Sequence, residues 1–167
     1  LSTTPGITVN IGGDHSLNKR SMKKLIHLMN EFGAFFLPKT KFNFPLKLIS
    51  SEMPIGINYN AGVSAQLKSA VMLAGLNSFG NTVVNETQKS RDHTENMLLK
   101  NPHVIKIKNR KKKIIEILGK KYLNPIKIDV PNDPSSAAFF TALTLINKNS
   151  AIIIKNVGLN PTRIGFY

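Results

Sequence analysis

Apolar side chains at Leu17, Met22, Leu25, Ile26, Leu28, Met29 and Phe32 recur close to every 3.6 positions, which predicts one helix over 15–32. Asp14 or Ser16 supplies its N-terminal cap and Gly33 its stop. Ahead of it, "GITVNI" alternates as a strand does, and "GGD" turns the chain. Across 34–60, short apolar runs are broken by Pro38, Pro45 and Pro54, so this stretch is expected to hold edge strands and turns. A second helix is predicted from Ser64 to about Asn77, closed by "NSFG". After it come a strand at "NTVVNE" and a short helix within "SRDHTENMLLKN", capped by Ser90 or Asp92 and stopped by Pro102. Strands are expected near 103–108 and 111–118, then a turn at Gly119 and a strand "PIKIDV" at 125–130. "PNDP" at 131–134 is the strongest punctuation in the chain, and a domain boundary is predicted there. Beyond it, "SSAAFFTALTLIN" reads as a helix capped by Ser135 or Ser136, "SAIIIKNV" as a strand, and "GLNPTRIGFY" as a turn entering another helix.

These pieces recur. Ser64 and Ser135 stand 71 residues apart, as do Asn85 and Asn156, and Arg20 and Arg91; Arg91 and Arg163 are 72 apart. The repeated unit is helix, strand, short helix, strands, which rotates into β-α-β-α-β-β. Such a unit cannot bury both faces alone, so several must share an interior. The Ala-, Ser- and Gly-rich helices "SAVMLAGL" and "SSAAFFTAL" suit a crowded helical centre, with the sheets facing outward.

Composition narrows the picture. The chain has 167 residues, 41% hydrophobic, enough for one core and part of another. It has no cysteine, which excludes a disulfide scaffold and a thiolate metal site, and makes a cytoplasmic, metal-free protein the default expectation. No apolar run approaches the roughly 20 residues of a membrane span, and "LSTTPGITVN" lacks the pattern of a signal peptide. A start at Leu1 and an end at "RIGFY" are what an excised piece would have. The formal charge of +14 implies attraction to anions: nucleic acid, an acidic membrane surface or small phosphorylated substrates. Much of it lies in "KIKNRKKKIIEILGKK", residues 106–121, which reads as a solvated hairpin face. A nucleic-acid-binding module centred on 103–127 is the competing class, weakened because Tyr122 is the only aromatic nearby for base stacking.

Helix starts carry the candidate chemistry. An N-terminus has unpaired N–H groups and about half a positive charge, which attracts phosphate or carboxylate. Ser64 and Gln66 stand at one such start, Ser90 and Arg91 at a second, and Asp14, Ser16 and Arg20 at a third. Each taken singly is an ordinary cap or a solvated side chain; a repeat that sets the starts on one rim would gather them into an anion site. His15 beside Asp14 and His93 beside Asp92 are candidate general bases, against a structural hydrogen-bonding role. No G-x-G-x-x-G fingerprint, G-x-x-x-x-G-K-S/T phosphate loop, paired metal-ligand histidines or G-x-S-x-G elbow is present.

The stretches "GDHSLNKRSM", "SAQLKSAVMLAGL", "SRDHTENML", "VPNDPSSAAFF" and "NVGLNPTRIG", in this order, resemble the 5-enolpyruvylshikimate-3-phosphate (EPSP) synthase family over nearly the whole chain. The sister family acting on UDP-N-acetylglucosamine shares the fold but is less similar at "SRDHT" and "SAQ". The resemblance implies an α/β fold of two domains, each of three β-α-β-α-β-β units with helices inside and sheets outside, an inside-out α/β barrel. It makes 1–130 about two units of the first domain, 131–134 a hinge and 135–167 the start of the second. It implies transfer of the enolpyruvyl group of phosphoenolpyruvate to the 5-hydroxyl of shikimate 3-phosphate, in a protein that is a monomer when full length, with no metal, organic cofactor, membrane or nucleic acid as partner. By the same resemblance, Arg20 holds phosphoenolpyruvate, Gln66 sits between the substrates, and Ser64, Ala65 (through its backbone), Ser90 and Arg91 hold shikimate 3-phosphate. Ser21 stands where the family has proline, Asn132 where it has glycine and Ile164 where threonine is common, so domain closure is expected to differ. The family's N-terminal lysine–serine motif, its proton-moving aspartate in the second domain and its later basic residues have no counterpart in these residues, and the chain alone is expected to be inactive.

Overall fold

A computed structural model describes residues 1–109 and 112–167. They form two compact units, one of 1–90 with 94–124 and the other of 91–93 with 125–167.

The first unit opens with β1 (Thr8–Ile11), α1 (His15–Lys19), α2 (Lys23–Glu31), β2 (Phe35–Leu37) and β3 (Leu46–Ile49). The single helix expected over 15–32 is two helices. Asp14 caps the first, its Oδ1 accepting from the Leu17 N–H at 2.7 Å, and the Asn18 side chain ties this turn back to Gly13. Arg20 is then extended (φ −78°, ψ 137°), and the Met22 N–H is drawn to the Phe42 carbonyl at 2.6 Å, outside either helix. Periodicity reports which face is apolar and is blind to such a diversion of the backbone. Gly33 does end α2. At φ +89° it lets Ala34 N–H reach the Met29 carbonyl and its own N–H reach that of Asn30, satisfying carbonyls the helix end would otherwise orphan.

In the first sheet the order is β1-β3-β2, both pairings antiparallel. β3 is thus the central strand, correcting the expectation that 34–60 holds only edge strands. Pro45 stands just outside it, so its ladder keeps every N–H from Leu46 on.

The remaining strands and helices of this unit are β4 (Asn58–Ala61), α3 (Ala65–Leu76), β5 (Asn81–Glu86), α4 (His93–Leu98, whose first residue belongs to the second unit), β6 (Ile105–Asn109) and β7 (Lys113–Leu118). This is the β-α-β-α-β-β unit read from the repeat. β4 and β5 are parallel, which requires a crossover, and α3 supplies it; β7 then pairs antiparallel with β5 and β6, giving the order β4-β5-β7-β6. The expected start of the last strand at 111 lies outside the described residues. α2 packs on β2, α3 packs on β4, β5 and β7, and the two helices pack on each other. Helices therefore lie inside and sheets outside, around Phe32, Leu48, Val71, Met72, Val84, Ile115 and Ile117, all nearly inaccessible to solvent. Close approach of α3 to β5 needs Gly75, where a Cβ would sit 2.7 Å from the Thr82 side chain.

In the second unit, α5 (Pro134–Ile146) forms as expected, but Asp133, not Ser135 or Ser136, is its cap. The Asp133 Oδ1 accepts from Ser135 N–H at 3.1 Å and from Arg163 Nη2 at 2.6 Å, and Arg163 also donates to Ser135 Oγ. The backbone bond from Ser135, with the Arg163 charge and Ser136 behind it, holds the Asp133 carboxyl below its ordinary range. The stretches 125–130 and 150–157 carry no strand, and 158–167 forms turns in place of a helix. Alternation alone does not make a strand: a ladder needs a neighbour, and only the bridge Asn132–Val157 is made here.

Gly119 receives the turn after β7. A Cβ there would overlap the Ser78 carbonyl oxygen and lie 2.8 Å from those of Gly75 and Gly80. Gly119→Ala is expected to cost about 3 kcal/mol, at the upper end for overpacking, because backbone cannot step aside as a side chain can. Urea denaturation with an unchanged midpoint would contradict this packing.

Candidate anion-binding site

α3 begins where β4 ends. Ser64, extended at φ −82° and ψ 102°, turns its hydroxyl oxygen onto the Leu67 N–H at 3.3 Å, while its carbonyl accepts from Lys68 N–H. The Ala65 and Gln66 N–H groups at the helix start fall outside these bonds, as first-turn donors do. Ala65 is buried and Gln66 exposed.

Across from this start runs the α1–α2 junction. Arg20, Ser21 and Lys24 line one groove of about 570 Å3 together with Ser64, Gln66 and Leu67. The break between the helices is what brings this about: an unbroken helix would carry Arg20 on round its axis, whereas the extended Arg20 leaves it at the groove. Two cations and a helix N-terminus face this space, and no carboxylate lines it. Lys24 was not picked out in the sequence, and Ser21 only as standing where the family has proline; with Arg20 extended between two helices, no helical spacing links it to Lys24.

The other expected contacts are arranged differently. Ser90 follows β5, and its N–H and Oγ both donate to Glu86 Oε1 at 3.0 Å. Arg91 is exposed and belongs to the second unit, where Asp92 accepts from Asn160 Nδ2 at 2.7 Å. His15 and His93 are both exposed, each the first residue of its helix. On β6, Lys106 and Lys108 are exposed while Ile105 is buried, as a solvated strand face requires, and Tyr122 is exposed.

Lys68 stands out most sharply. It looks like part of the helix mouth in the sequence, yet its side chain is fully buried. It lies on the stripe of α3 that includes Ala65, Met72 and Gly75, facing the sheet. Its Nζ is 2.7 Å from Glu86 Oε1 and 2.7 Å from Glu95 Oε1. Lys113, opposite Glu86 in the β5–β7 ladder, adds contacts of 3.4 Å to Glu86 and 3.2 Å to Glu95. Among the described residues, two cations and two carboxylates balance in one cluster. Burial by itself raises the Glu86 pKa, but the hydrogen bonds from Lys68 and Ser90 and the Lys68 charge outweigh it and leave the group below its ordinary value. Glu95 Oε2 is buried with no hydrogen-bond partner among the described residues, so the cluster leans on charge neutrality more than on complete pairing.

The family model for EPSP synthase (3-phosphoshikimate 1-carboxyvinyltransferase) matches residues 1–167. The 3-phosphoshikimate 1-carboxyvinyltransferase of Ruegeria sp. (strain TM1040) is 40% identical over 169 residues, covering 100% of this chain and 37% of that protein. The Bacillus subtilis (strain 168) protein of the same name is 43% identical over 156 residues, covering 93% of this chain and 36% of that one. Among solved structures, an EPSP synthase from Acinetobacter baumannii superposes with a TM-score of 0.73 at 33% identity, covering 96% of this chain and 36% of that one. The chain thus spans a little over a third of the length of the relatives it matches. No helix among the described residues is long and apolar enough to cross a membrane.

Because the charge cluster is balanced, deleting one member strands another. Lys68→Met is expected to destabilise the protein by about 3–5 kcal/mol, the range for breaking a buried ion pair from one side. The depressed Glu86 pKa sets the pH dependence: its contribution is present above the unfolded pKa and is lost as pH falls through the lower folded value. Denaturant titrations over that acid range are expected to show a steeper loss in the parent than in Glu86→Gln; parallel curves would contradict the assignment.

Proposed function

Because the chain belongs to the EPSP synthase (3-phosphoshikimate 1-carboxyvinyltransferase) family, we propose that it is part of an enzyme transferring the enolpyruvyl group of phosphoenolpyruvate to the 5-hydroxyl of shikimate 3-phosphate, with release of phosphate. The observation that carries this reading is the groove in which Arg20, Lys24, Ser64, Gln66 and the α3 N-terminus meet without a carboxylate. Both substrates bear phosphate and carboxylate groups. Bringing two such anions together is the main barrier to their reaction, and fixed cations and N–H dipoles lower it.

On this reading Arg20 holds phosphoenolpyruvate, and the Gln66 amide, with donor and acceptor ends, bridges the two substrates. Ser64 accepts from Leu67 through its oxygen, which leaves its O–H proton to donate to shikimate 3-phosphate. The Ala65 N–H adds the pull of the helix end, and Ser90 and Arg91 complete the grip on that substrate. The Ser90 hydroxyl donates to Glu86, so a phosphate must draw that proton away from a carboxylate. Residues 1–130 belong to the first domain, 131–134 form the hinge and 135–167 begin the second. The enzyme works in the cytoplasm, as a monomer when full length, on small anions and without nucleic acid. The chain alone is inactive, since parts of the family's machinery have no counterpart in it.

Calorimetric titration of the chain with shikimate 3-phosphate is expected to give weak binding that weakens further as salt rises. Arg91→Ala should reduce that affinity about tenfold, the equivalent of one charge-assisted contact. Arg20→Ala should leave it intact and reduce binding of phosphoenolpyruvate instead. Absence of heat with shikimate 3-phosphate, or identical isotherms for the parent and Arg91→Ala, would overturn the assigned contacts.

A further inference from the structure

Glu86 does more than balance charge. It ends the inward face of β5, where Thr82 and Val84 precede it, and is buried there. One of its oxygens, Oε1, takes three donors: Lys68 Nζ at 2.7 Å, Ser90 N–H at 3.0 Å and Ser90 Oγ at 3.0 Å. Lys68 projects from α3, the helix whose first residues line the groove, and it also grips Glu95 on α4. A second tie runs alongside, Ser69 Oγ to Thr94 Oγ1 at 2.7 Å, again from α3 to the start of α4. The segment carrying Ser90 is therefore bracketed: Glu86 holds it from β5, and α3 holds both Glu86 and the helix that follows.

We propose that Glu86 is a positioning residue, fixing the main chain and hydroxyl of Ser90 while Lys68 fixes Glu86, so that Ser90 keeps a set position relative to the α3 N-terminus. The proposal rests on the reading that Ser90 touches shikimate 3-phosphate only where binding is concerned; the placement of Ser90 itself stands without it. The geometry is selective in a way general packing is not. Both Ser90 groups end on one carboxylate oxygen, whereas Lys113 reaches Glu86 through the other, Oε2. Charge replacement at Glu86 should thus loosen the Ser90 segment by more than the general loss of stability that any break in the cluster brings to α3.

The test compares the chain with Glu86→Gln, which keeps the shape and removes the charge. Amide hydrogen exchange at Ser90 is expected to quicken about tenfold more than at Val71 and Met72, whose amides report the general loss of stability that breaking the cluster brings; the excess is the loss of one charge-assisted hydrogen bond. Affinity for shikimate 3-phosphate is expected to fall at least severalfold. Unchanged exchange at Ser90, or equal acceleration at Ser90 and in α3, overturns the proposal, the latter by showing that Glu86 sets only global stability. Tighter binding of shikimate 3-phosphate also overturns it, since that is the result if Glu86 merely competes with the ligand for the Ser90 proton. Should the parent bind no shikimate 3-phosphate, the functional reading fails and the exchange comparison alone decides the positioning role. If Glu86→Gln does not fold, Glu86→Asp carries the same comparison, keeping the charge and shortening its reach by one methylene.

Discussion

Three buried charges, Lys68, Glu86 and Glu95, and the partly exposed Lys113 beside them where α3, β5, α4 and β7 meet, set the terms for the larger sheet and its helices. Each carboxylate there has two ammonium groups within 4 Å, and Lys68, with no access to water, has Glu86 and Glu95, among the described residues, to replace its lost hydration. An apolar cluster of the same volume would accept many neighbouring registers. This one accepts only the arrangement in which β7 brings Lys113 opposite Glu86 and α4 presents Glu95 beside Leu98 on its buried side. A one-residue slip of β7 would turn Lys113 to the other face and leave the cluster a charge short.

The same constraint reaches the groove. α3 is anchored by Lys68 one turn inside its N-terminus, and Gly75 lets its far end lie directly on Thr82. A helix pinned at both ends presents its first-turn donors in a fixed direction, which is what an anion needs from a dipole. Ser64 illustrates how a bland role and a functional one coexist: capping occupies the oxygen, ligand binding would use the proton, and neither displaces the other. The α1–α2 break contributes the opposing wall, and its cause is a hydrogen bond to Phe42 that no local rule would anticipate.

How much of this the sequence disclosed follows how local each interaction is. α3 and α5 were legible because their caps, periods and stops lie within a dozen residues of one another. The β-α-β-α-β-β order was legible because a spacing of 71 repeats it. The central place of β3 was not, since pairing partners are set by tertiary contact. The motifs named Arg20, Ser64 and Gln66, which meet in one groove, but gave no hint that Lys24 joins them. The charge cluster was hidden because its members are scattered from position 68 to position 113. One clue was available: Lys68 falls on the apolar stripe of α3 in a chain with only 9 acidic residues, so a lysine there requires one of those few acids beside it.

The second unit shows the complementary case. α5 buries only Pro134 and Ala137, and Phe139, Leu145 and Ile146 are exposed, yet it is helical over 13 residues. Its order comes from hydrogen bonds that a helix makes within itself and from the Asp133 cap, which Arg163 steadies from the far end of the unit. The alternating stretches 125–130 and 150–157, equally apolar, have no such internal source of hydrogen bonds and stay without a ladder. A helix can precede its tertiary surroundings; a strand cannot. In this chain that difference separates α5, which forms as expected, from the two stretches of the same unit that were expected as strands and carry none.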